Sequence, residues 1–286
     1  MKKSIFLTTL FLLTLFGCND NKHKSLSQLE AGKKYFENDK YDSSLTCLND
    51  AIRLDSSNSE AYYYLSKTNY QIDNYNEGLK YLNLAEKRKF NSDSIEVLKL
   101  KILFAMEKYD DYIEYCDKLI SKNSSNYKMY FNKATALFNK ALDATSETSV
   151  DLLKDALKNV NFSLNLNKGD NATFILRGAI RYALSDNLGA IGDFDMAISQ
   201  EKKDSSIISI AYRYKGLTEN DLNNLRYAES LLDSAIIFEK KQAILYINRG
   251  DIRISLNKTD MACEDYRKAL ELGDNDAIDR IRENCK

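Results

Sequence analysis

A stride of 34 residues constrains this chain more than any other feature. Ala51 and Ala85 stand 34 apart, Ala235 and Ala269 repeat the interval, and Ala197 belongs to the same series. A unit this short cannot bury its own apolar face, so it must lean on its neighbours, and the chain is expected to form a stacked array. Within 25–58, Gly32 and Tyr35 lie in a first apolar-periodic stretch and Asp39-Lys40-Tyr41-Asp42 makes a polar turn. Leu45, Leu48, Ala51 and Ile52 line a second stretch. The apolar spacings of three and four are helical. The absence of proline, with 29% charged residues, favours long uninterrupted helices.

The same landmarks return as Tyr62, Leu65, Leu82 and Ala85 in 59–92, and as Leu103, Ile113, Cys116 and Ile120 in 93–126. Repeat 127–170 keeps Tyr130, Ala134, Leu137, Ala156, Val160 and Leu164 but is ten residues longer, and the excess is expected as a loop near 144–149. Gly178, Ala190, Phe194 and Ala197 mark 171–204, and four extra residues, 205–208, precede the next repeat. Tyr212, Gly216, Ala228, Leu232 and Ala235 mark 209–242; Tyr246, Gly250, Ala262, Tyr266 and Ala269 mark 243–276. This pattern resembles the tetratricopeptide repeat (TPR) over 25–276. The resemblance implies an all-α fold, a right-handed TPR solenoid of about seven helix-turn-helix units. Residues 277–286 read as a C-terminal capping helix with a polar outer side. The chain departs from the family where proline usually closes each repeat, since Ser56, Phe90, Ser124 and Lys168 stand there, and repeat 93–126 lacks the glycine and alanine landmarks.

The N-terminus reads differently. Met1-Lys2-Lys3 precedes a 12-residue apolar run, Ile5 to Phe16, too short to span a bilayer, which needs about 20 apolar residues. Leu15-Phe16-Gly17-Cys18 resembles a bacterial lipobox, which implies a signal peptide over 1–17 and a diacylglycerol on Cys18; the alternative is an ordinary cleaved signal with a chance cysteine. Residues 18–24 read as a polar tether. The resemblance places the protein in a bacterial cell envelope, lipid-anchored on the periplasmic side or at the outer-membrane surface. Forty-one basic and 42 acidic residues nearly cancel, so nucleic acid is not an expected partner.

First-helix residues spaced four and three apart share a face: Leu29, Lys33 and Phe36, then Tyr63, Lys67 and Tyr70, then Val97, Lys101 and Phe104. Phe131, Thr135 and Phe138 follow, then Ile175, Ala179 and Tyr182. In tetratricopeptide proteins these positions line the concave groove, which implies a ladder of rings beside three lysines, suited to a peptide carrying carboxylates. The other reading is that the rings pack between neighbouring helices with lysine stems over them. The last two repeats differ, with Arg213, Leu217 and Asn220, then Ile247, Asp251 and Ile254.

Cys47 and Cys116 read as packing residues. Cys263 and Cys285 lie 11 residues either side of Asp274, so antiparallel helices would bring them level, either as a disulfide or as two thiols in the last seam. The single histidine, His23, falls in the tether, so no histidine relay or histidine metal site can be built, and no phosphate-binding glycine loop follows a strand pattern. The expected function is non-catalytic, with no cofactor and no metal: a lipid-tethered scaffold or adaptor that binds a protein or peptide of an envelope complex. The alternative is a glycan-binding surface lipoprotein of a carbohydrate-uptake system, favoured by nineteen tyrosines and opposed by the absence of tryptophan.

Overall fold

The computed structural model of the chain describes residues 2–90, 93–200 and 204–285, with side chains from Asp20 onward. The expected signal segment, Cys18 and Asn19 lie outside the residues whose side chains are described. Among the described residues every regular element is an α-helix. The pairs are α1 (Lys2–Glu37) with α2 (Tyr41–Leu54), α3 (Ser59–Gln71) with α4 (Tyr75–Lys87), α5 (Asp93–Ala105) with α6 (Tyr109–Lys122), and α7 (Tyr127–Leu142) with α8 (Ser146–Leu166). Then come α9 (Asn171–Ala183) with α10 (Asn187–Gln200), α11 (Ser205–Asp221) with α12 (Leu225–Phe238), α13 (Ala243–Ser255) with α14 (Thr259–Glu271), and a single α15 (Ala277–Asn284). The chain divides into two bodies, Met1–Tyr112 and Ile113–Lys286.

The turn inside most pairs is made by one residue in the left-handed region: Asp39, Asp73, Glu107, Ser185, Asn223 and Asn257, with φ between 55° and 64°. Glycine adopts that conformation without a Cβ clash, whereas another residue costs about 1–2 kcal/mol there. The bond that closes the turn is the same each time, as Lys40 N–H donates to Tyr35 O at 2.9 Å and Lys108 N–H to Leu103 O at 3.0 Å. Glu107→Gly is therefore expected to raise stability by about 0.5–1 kcal/mol, read as a higher denaturant midpoint at unchanged slope. A lower midpoint would contradict the left-handed turn.

Side chains replace the missing prolines between repeats. The Asp55 carboxylate accepts from Ser57 N–H at 2.9 Å, and the Asn123 side chain accepts from Ser125 N–H at 3.0 Å, which fixes each reversal as an Asx-turn. Asn58 then caps α3, accepting from Ala61 N–H at 3.1 Å. The serine that opens a repeat ties its start to its end: Ser25 Oγ donates to Ala51 O and Ser209 Oγ to Ala235 O, each at 2.9 Å.

The small residues sit where the helices cross. Ala51, Ala85, Ala197, Ala235 and Ala269 are all fully buried. They let α2, α4, α10, α12 and α14 approach their partners closely, so that Leu48, Leu82, Phe194, Leu232 and Tyr266 fill the remaining space with at most 1% exposure.

The ten extra residues of repeat 127–170 do not form a loop. Only 143–145 lie between the helices, and the excess lengthens α7 to 16 residues and α8 to 21. Thr145 is extended at the N-cap, Glu147 sits in the first turn, and Ser149 N–H reaches Thr145 O at 2.8 Å, so the polar run Thr145-Ser146-Glu147-Thr148 starts a helix. Likewise 205–208 become the first turn of α11, capped by the Asp204 carboxylate on Ser206 and Ile207 N–H. Residues 20–24, read as a tether, are an exposed helical part of α1.

Five of the six seams between repeats carry a polar latch that hydrophobic spacing does not reveal. A cation in the first helix of one repeat reaches back to the second helix of the repeat before it. Lys99 donates to Asn83 at 3.2 Å, Lys133 to Asp117 at 2.6 Å, Arg177 to Asn161 at 3.1 Å, Lys215 to Asp195 at 2.6 Å and Arg249 to Asp233 at 2.7 Å.

Candidate functional site

The structure separates the expected first-helix face into parts that pack and parts that stay open. Leu29 is 1% exposed and packs with Leu48, Ala51, Ala61 and Leu65, so it belongs to the core and cannot meet a ligand. Ala179 and Ile247 are buried as well. Tyr63 stacks on Phe90 with ring centroids 4.8 Å apart, and Phe138 packs on the Ala134–Val160 cluster. Phe131 is half-buried. Tyr182 is half-buried too; burial, with a hydrogen bond to Asp221, pushes its hydroxyl up to about 12.

In the first body the rings at the end of each first helix pair with the tyrosine that opens the second. Phe36 meets Tyr41 at 5.8 Å, Tyr70 meets Tyr75 at 5.8 Å, and Phe104 meets Tyr109 at 5.9 Å. Tyr41 and Tyr75 donate their hydroxyls to the turn residues Asp39 and Asp73 at 2.7 and 2.5 Å. These clasps fix the turns. The triplets Asp39-Lys40-Tyr41 and Asp73-Asn74-Tyr75, one stride apart, were their visible signal.

The three lysines differ. Lys33 lies between Glu30 at 2.9 Å and Glu60 at 2.5 Å; burial lowers its ammonium, but the hydrogen bonds to Glu60 and Glu30 outweigh that and raise it above its ordinary 10.5. Lys67 is held over rings instead, 4.5 Å from the Phe36 centroid and 5.4 Å from Tyr64, and among the described residues no carboxylate pairs with it. Lys101 is exposed and likewise unpaired among the described residues. It lies on one face with Val97, 54% exposed, and Phe104, 38% exposed. The open part of the stripe is therefore Lys67 on its rings, with Val97, Lys101 and Phe104 on α5. A charged, ring-backed surface of this kind attracts carboxylates and gives apolar side chains a place to lie.

The second body carries a different chemistry. Arg177 grips Asp193 through two nitrogens at 2.6 and 3.0 Å, and Arg181 reaches the same carboxylate at 2.8 Å. The arrangement returns as Arg249 and Arg253 on Asp265, with Glu229 bridging Arg253 and Lys258. Asp193 and Asp265 are both buried, so these are internal braces. Arg177-Gly178 with Arg181, and Arg249-Gly250 with Arg253, were their signal in the sequence. Cys263 and Cys285 are joined as a disulfide with Cα atoms 5.7 Å apart. Cys116 is buried, and burial pushes its thiol up to about 12, which leaves it inert. No cluster of three or more metal-ligating side chains occurs among the described residues.

The helix pairs and their seams define a class, the helical-repeat proteins, and comparison with known proteins narrows it. Family models for the TPR repeat match residues 32–73, and for the tetratricopeptide repeat residues 243–275. A TPR repeat-containing protein of Methanocaldococcus jannaschii is 24% identical over 248 residues, covering 82% of this chain and 42% of its own length. Human tetratricopeptide repeat protein 16 is 31% identical over 132 residues, 43% of this chain and 15% of its own. The chain thus spans less than half the length of these relatives. Among solved structures, a tetratricopeptide repeat protein from Parabacteroides merdae superposes with a TM-score of 0.72 at 14% identity, covering 90% of this chain and 96% of that one. YrrB, described as a TPR protein with an unusual peptide-binding site, gives a TM-score of 0.52 at 16% identity, covering 68% of this chain and 92% of that one. Residues 32–73 and 243–275 thus match tetratricopeptide repeats, and the all-α fold of the chain is that of solved tetratricopeptide repeat proteins.

Proposed function

We propose that this protein is a lipid-anchored scaffold that holds a carboxylate-bearing peptide segment of an envelope protein on the first-helix face of α3 and α5. The observation that carries the reading is Lys67, an ammonium fixed over the Phe36 and Tyr64 rings with no carboxylate of its own among the described residues. A partner's carboxylate can take that charge without breaking an existing pair, and Val97 and Phe104 offer apolar contact on the neighbouring helix. The peptide-binding site named for YrrB supports a peptide ligand for a repeat of this fold. The rings of the first body lean on one another, at 4.8 to 6.3 Å between centroids, so part of their surface is already taken up and less of it is open to a sugar. That favours a peptide over a glycan.

The anchor rests on the apolar run Ile5 to Phe16 followed by Gly17-Cys18. Among the described residues no helix is long and apolar enough to cross a membrane. Two experiments test the two halves of the reading. Cys18→Ala is expected to move the protein from the membrane fraction to the soluble one, and an unchanged distribution refutes the anchor. Lys67→Glu with Lys101→Glu is expected to abolish crosslinking of partners to a photoreactive group at position 104 in native envelopes, while the helical circular dichroism is unchanged. Undiminished crosslinking refutes the face.

A further inference from the structure

The end of the array is covered in an unusual way. Inside the second body, α10 and α12 are each followed by a first helix of the next repeat, α11 with 17 residues and α13 with 13. Among the described residues, the pair α13 with α14 is followed by α15, with eight residues, of which Ala277 alone is buried. The cluster it packs on is apolar and holds Tyr246, Ile247, Tyr266 and Ala269, with Ile254 against it. Coverage is incomplete, since a cavity of ≈ 460 Å³ remains beside α15, lined by Asp251, Ile254, Tyr266 and Arg280.

Three attachments hold α15. Ala277, Ile281 and Cys285 touch the cluster around Tyr266. Arg280 grips Asp251 at 2.9 and 3.2 Å, with both side chains more than a third exposed, where ion pairs contribute little. The third attachment is covalent, the bond from Cys285 to Cys263 on α14. An eight-residue helix does not persist in water by itself, and one buried alanine is a small apolar contact. The disulfide closes the loop that keeps the other two attachments within reach.

We propose that the Cys263–Cys285 disulfide is a redox latch on this end face: its reduction releases α15 and uncovers Ile254, Tyr266 and the Asp251 carboxylate. The exchange is balanced by a dithiol reductant. Two thiols of the reductant deliver two electrons and two protons, the S–S bond breaks to give the Cys263 and Cys285 thiols, and the reductant becomes a disulfide. In the oxidised protein the repeat face ends at a lid. In the reduced protein that face is open, as every inner repeat face is before its successor docks.

The cap carries its own reporters, because Arg280 and Arg282 are trypsin sites within α15, while Lys168 in the exposed turn before α9 serves as a reference site. The experiment follows cleavage at the three positions in the full chain in detergent, by mass spectrometry after quenching and reduction. The chain is tested air-oxidised, treated with dithiothreitol, and as Cys285→Ser. That residue follows α15 and lies outside the seven helix pairs, so its loss leaves the repeats intact. Cleavage after Arg280 and Arg282, relative to Lys168, is expected to rise at least tenfold on dithiothreitol treatment, and to the same extent in Cys285→Ser without reductant. Dithiothreitol should then have no further effect on the variant, which separates the latch from Cys18, Cys47 and Cys116. Equal rates in the oxidised and reduced chain overturn the proposal, whether both are slow, so that packing suffices, or both fast, so that the bond holds nothing. Free thiols at both positions in the air-oxidised chain overturn it as well.

Discussion

Replacing Asp265 by alanine is expected to lower the stability of the protein by about 3–5 kcal/mol, the usual cost of leaving a buried charge without its partner. Asp265 is 3% exposed and accepts from Arg249 Nη2 at 2.6 Å, Arg249 Nε at 3.1 Å and Arg253 Nη1 at 2.8 Å. Both guanidiniums are themselves largely buried. Burial lowers Arg249, but its hydrogen bonds to Asp265 and Asp233 outweigh this and raise it, so it stays charged whatever becomes of its partner. Truncation therefore takes the shared buried carboxylate from two cations, leaving Arg249 only the half-exposed Asp233 and Arg253 only Glu229, which it shares with Lys258. Asp233→Ala is the control, because Asp233 bonds the same arginine at 2.7 Å but is half exposed, and its loss is expected to cost less than about 1 kcal/mol. Urea midpoints at constant slope measure both. Comparable losses for the two variants would show that burial does not govern the brace.

The same cluster gives the protein an acid limit. Burial raises the Glu229 carboxyl, but hydrogen bonds from Lys258 and Arg253 outweigh it and hold the group below its ordinary 4.5. A carboxyl lowered on folding stabilises the folded state fully above its unfolded value. That contribution disappears as pH falls from about 4.5 through the folded value, because the unfolded chain takes up the proton first. Glu229→Gln is expected to flatten stability against pH in that acid window and to leave the slope near neutrality unchanged.

Hydrophobic spacing revealed the helices and hid the braces, for one physical reason. An alanine or leucine at a fixed stride reports the crossing of two neighbouring helices, which is local, so Ala51, Ala85 and Ala269 were enough to place α2, α4 and α14 in the sequence. Arg249 and Asp265 are polar residues that a sequence reading assigns to the solvent. Only the meeting of α12, α13 and α14 turns them inward, and that is a property of packing. The insert at 144–149 failed in the opposite sense. Its polar composition suits a loop, whereas Thr145 and Glu147 are also what starts a helix, and the long partner α7 gives that helix a surface to lie on. The first-helix stripe divided for a similar reason. Spacing put Leu29, Lys33 and Phe36 on one face, but whether a side chain on that face meets solvent depends on what the adjacent helix offers. Lys33 found Glu60, Lys67 found only rings, and Leu29 found a core.

A second large effect distinguishes glycines that look alike in sequence. Gly250 and Gly216 hold the same place in their repeats, yet their expected responses to alanine have opposite signs. A Cβ at Gly250 would lie 2.5 Å from the Tyr266 ring, and that ring cannot yield, since Tyr266 is 1% exposed and its hydroxyl donates to Asp251 at 2.9 Å. A Cβ at Gly216 meets Leu232 Cγ at 3.3 Å and Ala228 O at 3.4 Å, contacts that a shift of a few tenths of an ångström relieves. Alanine in a helix interior gains about 1 kcal/mol over glycine, and overpacking a rigid core costs about 1–3 kcal/mol. Gly216→Ala should therefore be neutral or stabilising by up to about 1 kcal/mol, and Gly250→Ala destabilising by up to about 2 kcal/mol. Gly178, whose Cβ would lie 2.5 Å from the Phe194 ring, should follow Gly250. Pairing Gly250→Ala with Tyr266→Leu separates the causes, because a leucine can give way as Leu232 does. The double variant is expected to lose less than the two single variants summed, by at least about 1 kcal/mol. Additive losses would mean that the ring is not what excludes a side chain at position 250.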